Sequence, residues 1–384
     1  MTAEIRGEVE VFRSLRSVLV ESIFWDDRTG EVVWVDITAG TLHRGHLDGA
    51  VDGSDDVVVA LPVPVSAVQP AQGGGFVAAL KDRVVLLGPG GTVVDEPASV
   101  THAHGGIRFN EGKVDPYGRF VVGAMDVSVG DPDAGLYLVD ADGRLDVLLG
   151  GFGVANGFEW SDDAREMYVT DTATQTVYRG SYAAGTDPLG ELEPFLVGHA
   201  SDGLALDTDG RFWNGVYGGG EVLCWSPDGE VLARIPMPAP NVTSVAFAGP
   251  DRDQLLVGTA RENLTEEDLE ASPLSGSILR IRTRATGRPV HIFGAPVVER
   301  AESVPMLERA EPVPVVERAE PVPVVERAER DETHPAPSPA PPSTERHSTW
   351  TLESPARRPS SPAETPASAG RRRACSSPKA RSSC

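Results

Sequence analysis

Short runs of β-branched and aromatic residues recur along the first 295 residues, each introduced by a cluster of turn formers. Asp27-Arg28-Thr29-Gly30 leads into Val32-Val33-Trp34-Val35-Asp36-Ile37, and Asp207-Thr208-Asp209-Gly210 leads into Phe212-Trp213-Asn214-Gly215-Val216. Such an order predicts hairpins of short strands. The corresponding turn positions are Gly30, Gly75, Gly118, Ala164, Gly210 and Gln254, separated by 45, 43, 46, 46 and 44 residues. That spacing is the length of one four-stranded propeller blade, roughly 40–50 residues. Amphipathic patterns of helical length are nearly absent, the best being a short one around 265–271.

Six repeats of this kind predict an all-β, six-bladed β-propeller over residues 1–295. A single four-stranded sheet cannot bury both its faces, whereas radial stacking gives every blade two neighbours and leaves only short edges. An open sandwich or solenoid is the competing architecture, but neither needs so regular a period. A ring also encloses a channel, into which the innermost strand of each blade points.

Composition changes after residue 295. From Pro296 a nine-residue repeat places Glu299, Glu308, Glu317 and Glu326 each before an Arg, with pairs such as Pro312/Pro314 and Pro321/Pro323 between. Beyond Arg330 the chain is Pro, Ser, Ala and Arg, a composition that removes ladder donors and predicts a disordered C-terminal tail over 296–384. The tail holds 13 basic and 13 acidic residues, so the formal charge of −23 belongs to residues 1–295. An acidic propeller of that strength is a poor partner for nucleic acid or an anionic membrane. The N-terminus has no apolar segment of signal-peptide length, no apolar run is long enough to span a membrane, and Cys224, Cys375 and Cys384 form no disulfide framework. These features predict a cytoplasmic protein.

Three oxygen-bearing side chains occupy the same place in their repeats, just ahead of the strand-and-turn unit: Glu21, Asn156 and Asp202. Hard oxygen donors suit Ca²⁺ or Mg²⁺ better than a soft metal. Drawn from blades one, four and five, they are expected to meet at one divalent ion in the channel. Each alone reads as an ordinary turn residue. His102 and His104 alternate as a metal pair would, yet no third soft ligand accompanies them, and a surface or core role is expected. No Rossmann pattern, P-loop, Gly-x-Ser-x-Gly elbow or CxxC occurs.

Several segments in one order resemble the regucalcin/gluconolactonase family, also called the senescence marker protein family. They are Arg108-Phe109-Asn110-Glu111-Gly112-Lys113-Val114-Asp115-Pro116-Tyr117-Gly118-Arg119-Phe120, Asn156-Gly157 with Trp160-Ser161, Ser201-Asp202-Gly203, and Val242-Thr243-Ser244-Val245-Ala246-Phe247. The likeness covers about residues 14–284. It implies a six-bladed propeller with one divalent metal at the channel mouth, Ca²⁺ first, with Zn²⁺, Mn²⁺ or Mg²⁺ as alternatives. By the same resemblance Glu21, Asn156 and Asp202 match the metal ligands and Asp202 the general base, while Arg108 and Asn110 match residues that hydrogen-bond a sugar-like substrate. Two positions depart from the pattern: Glu111 stands where Asp is common, and Ser128 where some animal members carry an acid.

The expected function is hydrolysis of sugar-type lactones, with a small-molecule lactone as the partner. The alternatives are a non-enzymatic Ca²⁺-binding or sugar-sensing propeller, and a protein-interaction propeller. An aromatic content of 6% gives the last little material for an apolar rim.

Overall fold

The computed structural model describes residues 6–128 and 131–295. The tail expected over 296–384, with Cys375 and Cys384, lies outside the described residues. Each repeat folds as an antiparallel four-stranded sheet, giving six blades. Their innermost strands are Val20–Asp26 (blade I), Ala67–Pro70 (II), Ile107–Val114 (III), Ala155–Trp160 (IV), Ser201–Leu206 (V) and Val242–Ala248 (VI). Blade VI takes its outermost strand from the other end of the chain: Glu10–Arg13 pairs with Ile278–Arg282, Glu10 opposite Arg280. The ring is thus closed by hydrogen bonds between the two chain ends. Arg13 strengthens the closure, because its fully buried guanidinium pairs with Asp56 at 3.0 Å and donates to the His46 carbonyl at 2.7 Å.

The core lies between the blades. Six buried clusters each draw on two adjacent sheets, as where Trp213, Val222 and Ile235 of blade V meet Val245, Leu255 and Ile281 of blade VI. Around the channel, short polar side chains join neighbouring blades. Ser22 Oγ donates to the Val68 carbonyl (3.0 Å), Asn110 Nδ2 to the Ala155 carbonyl (3.1 Å), Thr172 Oγ1 to the Ser201 carbonyl (2.6 Å) and Thr243 Oγ1 to the Val20 carbonyl (2.6 Å). Between blades II and III, Ser66 Oγ donates to the Phe109 carbonyl. Between V and VI the backbones themselves touch. A Cβ on Gly203 would stand 2.7 Å from Ser244 Cα, so only glycine fits there.

The acids of the hairpin turns are structural. Asp207 is fully buried and accepts from the Asp209 and Arg211 amides, Arg211 Nε and Trp213 Nε1. Asp115 does the same for the Tyr117 and Arg119 amides, Arg119 Nε and Tyr182 OH. A helix forms at Glu266–Ala271, where Thr265 and Asp268 make a capping box. Among the described residues no helix is long and apolar enough to cross a membrane.

At the C-terminal ends of the inner strands, residues 286–295 run across the channel. Thr286 O accepts from the Thr208 amide, Arg288 Nη1 donates to the Trp160 carbonyl (3.0 Å), and Phe293 and Gly294 donate to the Pro70 and Gly118 carbonyls. A cavity of about 1340 Å³ beneath this strap is lined by Gln69, Lys113, Glu159, Trp160, Phe247 and Arg288 among others. It lies at the opposite end from the acids described next.

Candidate metal centre and channel mouth

Glu21, Asn156 and Asp202 are each the second residue of an innermost strand, inside it rather than ahead of it. All three sit at a break in register. Glu21 faces Val35 but Phe24 faces Val33; Asn156 faces Thr170 but Phe158 faces Val169; Ser201 faces Val216 but Leu204 faces Asn214. Blades III and VI break at the same level, between Phe109 and Glu111 and between Val242 and Val245. A β-bulge inserts an extra residue and re-aims the side chains around it. Here five of the six blades carry such a break, blade II being the exception, near the end where the inner strands begin. In blade I the bulge holds Ser22 at φ 53°, and the Ile23 amide donates to Ser244 Oγ (3.0 Å).

The three side chains are buried, with 8%, 6% and 5% exposure for Glu21, Asn156 and Asp202. The orientation of Asn156 is fixed by a chain of donors. Thr172 spends its hydroxyl hydrogen on the Ser201 carbonyl, so its oxygen accepts from Asn156 Nδ2 (2.9 Å). That leaves Asn156 Oδ1 facing Asn110 Nδ2 (2.8 Å) with a second lone pair free. Asn110 Oδ1 in turn accepts from Arg108 Nη1 (2.8 Å), which also donates to the Phe109 carbonyl (2.9 Å). The structure therefore joins Arg108, Asn110 and Asn156 in one hydrogen-bonded line. The Asn110 amide is spent on protein partners, and Arg108 retains donors on its other nitrogens.

The two acids stand in the opposite situation. Among the described residues no donor hydrogen-bonds the Asp202 carboxylate, and Glu21 receives a 3.4 Å contact from the Ser22 amide. Burial pushes the Asp202 carboxyl up to about 8, and the Glu111 charge adds to it. Burial also raises Glu21 well above the carboxylate range, reinforced by Asp202 and Glu111. Glu111 is pushed up to about 6, again by burial first. Arg108 is lowered by burial, while Glu262, Glu21 and Asp202 oppose the shift. A buried carboxylate with no donor and a like charge beside it is costly. The contrast with Asp207, five residues on and held by four donors, marks Asp202 as a side chain the fold does not satisfy by itself. Two buried carboxylates whose charges act on one another, with an amide oxygen on the neighbouring inner strand that keeps one lone pair, are donor types that suit a hard divalent cation.

A second trio, His104, Asp126 and Asp133, brings its ligand atoms within 4.8 Å of one another in the blade III loops. Its hydrogen bonds weigh against a cation. The Gly106 amide donates to His104 Nδ1 (3.1 Å), so the ring proton sits on Nε2 and is shared with Asp133 (2.9 Å). Nε2 would have to lose that proton to bind metal, moving it to Nδ1 against the Gly106 N–H. Asp126 already accepts from the Ser128 amide and hydroxyl. His102 and His104 lie in a loop.

The mouth also contains groups that the repeat pattern did not single out. Thr172 orients Asn156. Glu262 and Tyr217 come from loops at the rim, and both act electrostatically with Asp202. Loops between strands carry no periodic signal, so only the fold brings them here.

Fold and mouth together define a six-bladed propeller with an acid-lined channel entrance. The chain belongs to the SMP-30/gluconolactonase/LRE-like family, whose model matches residues 19–261. It is 35% identical to the 6-deoxy-6-sulfogluconolactonase of Pseudomonas putida and 33% identical to a pentonolactonase of Haloferax volcanii, in both cases over 71% of this chain and 93% of the relative. Among solved structures it is similar to a calcium-binding protein, regucalcin, from Agrobacterium tumefaciens, with a TM-score of 0.69 and 27% identity over 75% of this chain and 97% of that one.

Proposed function

We propose that the chain is a lactone hydrolase acting on sugar-type lactones, with one divalent cation, Ca²⁺ first, held by Glu21, Asn156 and Asp202. The observation that carries the reading is the buried, donorless Asp202 carboxylate set beside Glu21. The lactonase names of two relatives that align with most of their own length support the substrate class, and the calcium-binding regucalcin neighbour supports the cation. When bound, the cation would act as a Lewis acid that polarises the lactone carbonyl.

The chain's own residues supply the rest. Hydrolysis of a lactone opens an ester: water adds to the carbonyl carbon, the ring C–O bond breaks, and a hydroxy acid results. Asp202, facing the channel, takes the proton of the attacking water. A positioned base of this kind contributes roughly 10²–10⁴-fold. The free donors of Arg108 orient substrate oxygens, and Asn110, bonded on both sides, holds Asn156 and Arg108 in register. Asn110 thus acts more through its neighbours than as a free substrate contact.

The test is steady-state hydrolysis of γ- and δ-lactones at saturating Ca²⁺, with cation occupancy measured in parallel. Asp202→Asn keeps an oxygen ligand but loses the base, so its turnover is expected to fall by roughly 10²-fold or more while part of the cation remains. Near-normal turnover in the loaded variant would remove Asp202 from the proton transfer. Cation binding by wild type without turnover of any lactone would leave a cation-binding propeller that is not an enzyme.

A further inference from the structure

At the rim of the mouth, Glu262 is held by its backbone from three sides. Its amide donates to the Val18 carbonyl (3.1 Å), and its carbonyl accepts from Asn241 Nδ2 (2.8 Å) and Tyr217 OH (3.4 Å). Asn263 Nδ2 donates to the same Tyr217 oxygen at 3.0 Å. Blades I, V and VI therefore fix where this residue stands. Its side chain is far less committed. The half-buried carboxylate has a 3.5 Å contact from Thr38 Oγ1, the limit of a hydrogen bond.

Glu262 projects from blade VI, and Arg108 from blade III, which lies opposite in a ring of six. Their charges nevertheless act on one another, and Glu262 acts on Asp202 as well. Its backbone anchors, Val18 just ahead of the Glu21 strand and Asn241 just ahead of the blade VI inner strand, place Glu262 at the rim of the mouth, within reach of the charges on both sides of it. The charges that act on one another here are those of Glu21, Glu111, Asp202 and Glu262 against Arg108. A divalent cation does not fully neutralise them, and a residual negative charge stays at the entrance.

Resting on the lactonase reading, we propose that Glu262 is a specificity-determining residue: it accepts hydrogen bonds from the hydroxyls of a neutral sugar lactone and turns away lactones bearing a sulfonate or phosphate. A hydroxyl brings a donor to a carboxylate whose protein donor, Thr38 Oγ1, stands at the 3.5 Å limit. A sulfonate or phosphate brings acceptors and negative charge to a place already rich in both. On that reading Glu21 and Asp202 are taken up by the cation, and the buried Glu111 carboxylate, although its charge reaches Asp202, already accepts from the Gly112 amide at 2.8 Å. Glu262 is the acid at this mouth that remains for the substrate.

The experiment compares glucono-δ-lactone with its 6-sulfonate and 6-phosphate analogues in wild type, Glu262→Gln and Glu262→Asp, at low and high salt. Wild type is expected to favour the neutral lactone by about tenfold or more in kcat/KM, and less at high salt, as for a charge acting through several ångströms. Glu262→Gln should raise kcat/KM for the anionic lactones about five- to tenfold, with the change carried by KM, and Glu262→Asp should restore the wild-type preference. Equal use of neutral and anionic lactones by wild type, or an unchanged ratio in Glu262→Gln, overturns the proposal. A Glu262→Gln variant with lowered thermal midpoint or cation affinity also overturns it, since the residue would then be structural. If wild type hydrolyses neither class, the lactonase reading itself fails.

Discussion

Cation binding at the channel mouth should be driven by pH, and the expected slope follows from the two buried acids. Without a cation, Asp202 is held up to about 8 against an ordinary 3.8, by burial and by the Glu111 charge, and Glu21 is raised alongside it. At pH 6.5 Asp202 is then protonated, and a cation must displace that proton. The association constant should climb about tenfold per pH unit between roughly 5.5 and 8, more steeply where Glu21 also releases a proton, and level off above that. Stability responds with the sign of a raised folded-state pKa. The contribution of Asp202 is fully present below about 3.8 and is lost as pH rises through about 8, so the cation-free propeller should soften across that window. Saturating Ca²⁺ should restore the thermal midpoint, most strongly at the alkaline end. Calorimetric titration at pH 6.5 in two buffers of different ionisation enthalpy should register about one proton or more released per cation, and fewer at pH 9, where Asp202 has already given up its own. An affinity independent of pH between 5.5 and 8, with no proton release, would mean that neither acid is held protonated in the cation-free mouth.

Further expectations concern the scaffold. Gly203→Ala would force a Cβ to 2.7 Å from the Ser244 backbone. It should lower stability by about 1–3 kcal/mol, read by denaturant titration, and weaken cation binding by displacing the Asp202 bulge. Arg13→Ala would leave Asp56, with 2% side-chain exposure, without its buried partner. A loss of about 3–5 kcal/mol is expected, with little change in cation affinity per folded molecule. Truncation after Ala295 should leave the thermal midpoint and lactone turnover unchanged, because the Pro-rich composition of residues 296–384 cannot supply a blade or share the propeller core. Removing residues 286–295 as well should lower the midpoint.

The period of turns and β-rich runs was enough to read the six blades, because every blade solves the same packing problem with the same length of chain. Ring closure through Glu10–Arg13 was not legible, since a four-residue strand outside the period becomes meaningful only when its partner, Ile278–Arg282, is placed beside it. Asp202 at the mouth and Asp207 just past the far end of the same strand are both acids in turn-rich sequence. What separates them is the set of four donors around Asp207 and the lack of any around Asp202, a property of neighbours brought in by the fold. The sequence placed the oxygen side chains at equivalent points of their repeats but set them ahead of the strands, because a bulge leaves no mark in hydrophobic alternation. Asn110 was legible as a polar residue in a family segment, whereas its commitment to both Arg108 and Asn156 required the geometry of two blades. Glu262 carried no signal, lying between a strand and a short helix in a run of charged residues.

The most direct test of the account is turnover of glucono-δ-lactone by protein stripped of metal and then titrated with Ca²⁺, alongside Glu21→Gln. Activity in the wild type should rise from near zero and saturate at about one equivalent under tight-binding conditions, as for a single cation site, while Glu21→Gln should require far more cation to reach any activity. Full activity in the stripped wild type, or an identical titration curve for the variant, would contradict a reaction centred on the Glu21, Asn156 and Asp202 site.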